Sequence, residues 1–327
     1  MLWLLLASCG TDTTATCTDG WAMGTDGVCF IDPLPLASPA LLRRMSLDLR
    51  GRLPTAAELD AAEADPTAVE AMRDDFLDDP ALEERLVALM GEHWRTLVDD
   101  VTLQAGEAGF ERDEEYTYER SVGEEPLRLM AYVAVNDLPW SEIVTADYTL
   151  ANEVLAQIWP LDYPDGELGW QEARYTDGRP SAGVLATNGL WWRYSTNESN
   201  ANRSRASAIS SLLLCEDYLT RPVSFASAQG ALDEAAIASA IADDPSCANC
   251  HSTLEPLAAA LFGFWWFEEH NLGEMSWYHA SREPLGELVL GVGPAWFGTP
   301  IGGLADVGEM IADDPRFTRC AAETAAE

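Results

Sequence analysis

The run Cys247-Ala248-Asn249-Cys250-His251 constrains this chain more than any other stretch of it. Two thiols separated by two residues can reach the two vinyl groups of one haem and form thioethers. The His that follows is then placed to ligate the iron. Cys247 and Cys250 are therefore the expected attachment points of one covalent haem c, and His251 its expected proximal ligand. Asp244-Pro245 supplies an N-cap and a first helical residue, so the motif is predicted to open a helix. Two other chemistries use paired cysteines. A redox-active disulfide sits at a strand-to-helix junction, whereas Ala231–Ala242 ahead of the motif reads as an Ala-rich helix. A zinc site needs a second Cys or His pair at ligand spacing, and the sequence offers none.

The sixth iron ligand decides between an electron carrier and a reactive site. Met275, Met310, His270 and His279 all lie downstream and stay open as candidates. His93 falls on an apolar helical face and reads as a buried, satisfied core residue rather than a ligand. The aromatic run Phe262, Phe264, Trp265, Trp266, Phe267 fits either a haem wall or ordinary core.

The N-terminus bears on location. Leu2 to Leu6 are apolar and lead into Leu6-Ala7-Ser8-Cys9-Gly10, which resembles a bacterial lipoprotein box with Cys9 as the lipidated residue. The stretch is too short to span a bilayer and lacks the positive flank of a signal peptide, so the true start is expected upstream. The expected location is the cell envelope, with the membrane reached through the lipid. Gly10, where an Asp would favour the inner membrane, leans the reading to the outer one. Of seven Cys, Cys9 takes lipid, Cys247 and Cys250 take haem, and Cys17 and Cys29 close a short Gly- and Asp-rich loop. Cys215 and Cys320 remain and are paired by elimination, as an oxidising compartment permits.

Net charge is −36, from 55 acidic and 19 basic residues, every basic one an Arg. Such a chain repels phosphate backbones, which argues against nucleic acid as a partner. The expected partner is a redox protein that the sequence does not identify.

Helix punctuation is dense from residue 38 to 97. Ser38-Pro39 starts one helix, Thr55/Glu58 and Thr67/Glu70 read as capping boxes, and Asp79-Pro80 opens a helix with the stripe Leu82, Leu86, Leu89, Met90, His93, Leu97. Residues 104–124 are polar and acidic and read as a loop, with helix resuming at Pro126–Val135. Thr149–Ile158 reads as helix, residues 159–180 as a long irregular connection, and Ala206–Leu214 as helix. Residues 280–303 read as loop or short hairpin, and Ala305–Ala312 and the chain from Phe317 as helix. The expected fold is mainly α: a helical N-terminal domain and a C-terminal helical cytochrome-c-like module with loop-rich connections. The expected divisions are 1–9 (signal and lipobox), 10–34 (tether with a small disulfide loop), 35–160 (helical domain), 161–245 (connecting helices) and 246–327 (haem module).

Three stretches together resemble the cytochrome-like domains of unknown function first noted in planctomycetes and found also in myxobacteria-like lipoproteins. The first is Leu42 to Thr55 (LRRMSLDLRGRLPT), with Glu92-His93-Trp94 after it. The second is Asn136-Asp137-Leu138-Pro139 with Thr145 to Thr149, then Gly183-Val184-Leu185 and Leu213-Leu214-Cys215. The third runs from Cys247 through Glu255-Pro256-Leu257-Ala258, where the family has DPLG, to Phe262-Gly263-Phe264. Leu53 likewise replaces a family Pro, and the last module looks shortened. The resemblance implies helical domains ending in a haem-bearing module, and it adds support for a Cys215–Cys320 bridge. The function expected from the residues is single-electron transfer by a lipoprotein cytochrome, a carrier rather than a catalyst. A peroxidase-like haem enzyme with an open coordination site and a non-catalytic scaffold with structural haem are the alternatives.

Overall fold

The computed structural model describes residues 21–23, 29–31, 36–97, 115–220, 244–264 and 278–326. These are mainly helical, with a few short strands. The chain forms two compact units, residues 1–48 with 52–75, and residues 49–51 with 76–327.

In the first unit, β1 (Trp21–Met23) pairs antiparallel with β2 (Cys29–Ile31), placing Met23 opposite Cys29. Helix α1 (Ser38–Arg50) begins as the Ser-Pro signal predicts. Helix α2 (Ala56–Ala64) carries the predicted capping box: the Glu58 amide donates to Thr55 Oγ1, and the Thr55 amide donates to the Glu58 carboxylate. The second expected box does not form at α3 (Ala68–Leu77). Thr67 donates its hydroxyl and its amide to Asp65 Oδ1, and the Glu70 amide bonds the Thr67 carbonyl instead. An acidic residue two positions back outcompeted the helix for that hydroxyl.

The second unit is organised on α5 (Glu115–Val135), which packs against α4 (Ala81–Trp94). Helix α4 starts as read, with Asp79 accepting from the Ala81 amide. Its buried face is Leu82, Val87, Gly91 and Trp94, while Leu89 and Leu97 are exposed, so the expected stripe is rotated along the helix.

The expected loop at 104–124 is corrected over its last ten residues, which form the first half of α5. The polarity that suggested a loop is buried and paired. Arg128, 5% exposed, binds Glu124 at 2.7 Å and reaches Glu84 of α4 at 2.7 Å. Ser121 donates to the Thr117 carbonyl and accepts from Asn152. Pro126 lies inside the helix rather than at its start. Beyond it Leu127, Leu129, Met130, Ala131 and Val133 are fully buried, so α5 is the core's central rod.

A turn and the short α6 (Glu142–Thr145) lead to a three-stranded antiparallel sheet, where the sequence had predicted helix and irregular chain. Its strands are β3 (Thr149–Ala151), β4 (Leu161–Asp162) and β5 (Gln171–Tyr175), in the order β3-β5-β4. Only the end of the predicted helix survives, as α7 (Glu153–Ile158), capped by Asn152. A 3₁₀ turn at Gly183–Ala186 precedes α8 (Asn188–Arg193), which packs on α5. The approach is close: a Cβ on Gly189 would lie 2.0 Å from the Val122 carbonyl oxygen. Gly189→Ala is therefore expected to cost about 2–3 kcal/mol, read as a lowered urea midpoint at unchanged slope. An unshifted midpoint would refute that close packing.

The remaining elements are α9 (Arg203–Leu214), α10 (Pro245–Ala259), α11 (Leu285–Leu290), the ribbon β6 (Ala295–Trp296) with β7 (Thr299–Pro300), α12 (Leu304–Asp313) and α13 (Pro315–Ala326). Residues 280–303 thus hold a helix besides the expected hairpin. Helix α9 packs on both α10 and α13. Cys215, the left-handed cap of α9, is disulfide-bonded to Cys320 of α13, with Cα atoms 5.3 Å apart across 105 residues.

Candidate functional site

Helix α10 carries the motif. The Asp244 carbonyl accepts from the Cys247 and Ala248 amides, so the helix opens where Asp-Pro predicted. At about 100° per residue, Cys247, Cys250 and His251 fall within one arc of about 100° on one turn. Both cysteines are half-buried free thiols, not joined to each other.

His251 is held through one nitrogen. Its Nδ1 lies 3.2 Å from Glu255 Oε1, one turn further along α10. Beside a carboxylate, which only accepts, Nδ1 carries the proton. A neutral imidazole in that tautomer keeps its lone pair on Nε2, the arrangement that metal-ligating histidines adopt. Glu255 is in turn held by Arg203 of α9, whose Nε and NH2 reach the same Oε1 at 3.0 and 2.6 Å. The side chains of His251, Glu255 and Arg203 are 25%, 12% and 25% exposed. The donor set thus fits a c-type haem: two free thiols and an oriented imidazole on one helical turn.

Two residues after Arg203, Arg205 is fully buried. It donates to the carbonyls of Tyr194, Trp191 and Phe264, the last just beyond the end of α10. Burial pushes its pKa down to about 9, which leaves it charged at neutral pH. Phe264 packs against Trp191 and Tyr278, ring centroids 6.0 and 5.2 Å apart, and Phe262 is fully buried. Trp265, Trp266 and Phe267 lie outside the described residues.

Among the candidate sixth ligands, His270 and Met275 also lie outside them. Met310, on α12, packs its side chain against the core. His279 is half-buried, its amide bonds the Gly263 carbonyl at 2.8 Å, and its Nε2 is enclosed without a hydrogen-bond partner. The expectation of a satisfied His93 is corrected, since its Nε2 is likewise enclosed and unpartnered. Cys9 and Cys17 fall outside the described residues, and of Cys29 only its strand is described. No described helix is long and apolar enough to cross a membrane. Among the described residues no group of three or more His, Cys, Asp or Glu could hold a metal ion.

A second polar cluster escaped the sequence reading because its members are scattered along the chain. Glu125 of α5 is completely buried and accepts from Tyr175, Thr149 and the main-chain N–H groups that open α8. Burial pushes its carboxyl up to about 7, against the pull of Tyr175, Arg179 and those bonds. Tyr175 and Thr149 also line a small cleft with Arg179 and Ser181. An acid whose pKa is raised in the fold holds its proton more tightly there than in the unfolded chain. Its contribution is full below the ordinary value of 4.5 and is lost as pH rises through about 7. Wild type is expected to lose up to about 3 kcal/mol relative to Glu125→Gln over that window. Urea unfolding at stepped pH checks this, and parallel curves for the two chains would refute it.

Residues 31–155 match the model of a family described as PSCyt2, a protein of unknown function (DUF1549). The match spans the Leu42–Thr55 stretch and the segment from Asn136 to Thr149, and it ends before the Cys247–His251 motif. No curated protein and no solved structure matches the chain.

Proposed function

We propose that this protein is an exported, lipid-anchored c-type cytochrome that carries single electrons, with one haem attached through Cys247 and Cys250. The observation that carries the reading is the state of His251. Its Nδ1 is occupied by Glu255, so Nε2 is left to ligate, on the same helical turn as two free thiols. When bound, such a haem supplies one-electron ferric–ferrous chemistry. The chain's own part is to fix the imidazole through Glu255 and to anchor α10 onto α9 through Arg203. Arg205 fixes the main chain beyond α10 at the Phe264 carbonyl. The Cys215–Cys320 disulfide supports an oxidising, exported setting, and Cys9 is the proposed lipid attachment point.

The test is an absorption spectrum of the exported protein, oxidised and dithionite-reduced, with a pyridine haemochrome assay. A c-type band that survives acid-acetone extraction is expected. A chain with no Soret band would overturn the reading and leave Cys247 and Cys250 as a dithiol pair.

A further inference from the structure

We infer that Glu255 and Arg203 form a tuning pair for His251: Glu255 strengthens the imidazole as a donor and biases the site toward its oxidised state, and Arg203 sets how far. The inference rests on the reading of His251 as an iron ligand.

The three groups meet at one atom. Glu255 Oε1 faces His251 Nδ1 at 3.2 Å and both Arg203 nitrogens at 3.0 and 2.6 Å. A carboxylate that accepts the Nδ1–H draws that proton toward itself and leaves more electron density on Nε2. A more basic Nε2 stabilises the higher charge of the oxidised metal, so the carboxylate lowers the reduction potential. A guanidinium on the same oxygen works against this. It spreads the carboxylate's charge into a short, charge-assisted bond and weakens the pull on Nδ1. The opposition is adjustable because the two charges sit on different helices. Glu255 is fixed four residues from His251 on α10, whereas Arg203 arrives from α9, 52 residues earlier. Arg203 is itself steadied at the Ser199 and Asn200 carbonyls, at 3.4 and 3.3 Å.

A plain ion pair joining α9 to α10 would show the same distances, but it predicts a different result. As a brace, either substitution would lower stability and leave the potential alone. As a tuning pair, the two substitutions move the potential in opposite directions.

The experiment is a potentiometric titration of the haem-loaded protein at fixed pH, in wild type, Glu255→Gln and Arg203→Gln. Covalent haem is scored first by in-gel peroxidase stain. Glu255→Gln is expected to raise the reduced-to-oxidised ratio at a given ambient potential about tenfold, which is about 59 mV for one electron. Arg203→Gln is expected to shift the ratio the other way. Should Glu255→Gln fail to load haem, Arg203→Gln still decides, since it leaves every group that touches His251 in place. Unchanged potentials, or shifts of the same sign, would overturn the tuning pair while leaving the cytochrome reading intact. A wild-type chain without covalent haem would overturn both, and the stain shows which has happened.

Discussion

Replacing Cys215 and Cys320 together with Ala is expected to destabilise the second unit by about 4 kcal/mol, a substantial share of a typical domain's stability. The bridge closes a loop of 105 residues. In the chain-entropy description, a cross-link over about 100 residues removes close to 5 kcal/mol of freedom from the unfolded ensemble. Native strain and residual structure in the unfolded chain reduce what is measured. The bond also has a local consequence. Cys215 caps α9, the helix that carries Arg203 and Arg205, and Cys320 is buried in α13 against it. Losing the bridge loosens the floor on which α10 rests. Thermal unfolding of the double variant is expected about 8–16 °C below wild type, and wild type in strong reductant should fall toward the same midpoint. A variant within a degree of wild type would mean that α9 and α13 are held by packing alone.

The start of the helix that carries Cys247–His251, the Thr55 capping box and the helices at 38–50, 81–94, 203–214, 304–313 and 315–326 were legible because each is written in contiguous residues. A cap and its partner sit three positions apart, and a stripe repeats every three or four. The failures share one cause. Residues 115–124 look like loop because Ser121, Glu124 and their neighbours are polar, and what makes them helical lies elsewhere in the chain. Asn152 donates to Ser121, Glu84 shares Arg128 with Glu124, and Thr149 and Tyr175 donate to the adjoining Glu125, which lets this polar stretch be buried. A strand of three residues such as Thr149–Ala151 carries too little alternation to stand out from a helical pattern, and only pairing with Gln171–Tyr175 settles it. The site divides the same way. Glu255 could have been found from sequence, because a carboxylate four residues after His251 shares its helical face. Arg203 could not, since nothing local says that α9 lies against α10.

Replacing both Cys247 and Cys250 with Ala is expected to abolish covalent haem entirely, the sharpest effect available in this chain. Each thioether needs its own sulfur, so the double variant has nothing left with which to bond the vinyl groups. The fold should survive the change. Both thiols are half-buried and unbonded, and Ala is the residue that best favours helix. Far-UV dichroism and the unfolding midpoint of the haem-free forms should therefore stay near wild type while the haem stain disappears. Single variants add a graded step, because one remaining thiol supports one thioether and a shifted reduced band. His251→Ala separates attachment from ligation. It keeps both sulfurs and is expected to retain some covalent haem with an altered spectrum, whereas Glu255→Gln keeps the ligand and moves only its strength. If the double variant still carried acid-stable haem, attachment would have to lie outside Cys247–His251. The orientation of His251 by Glu255 would then be a structural hydrogen bond with no iron to serve.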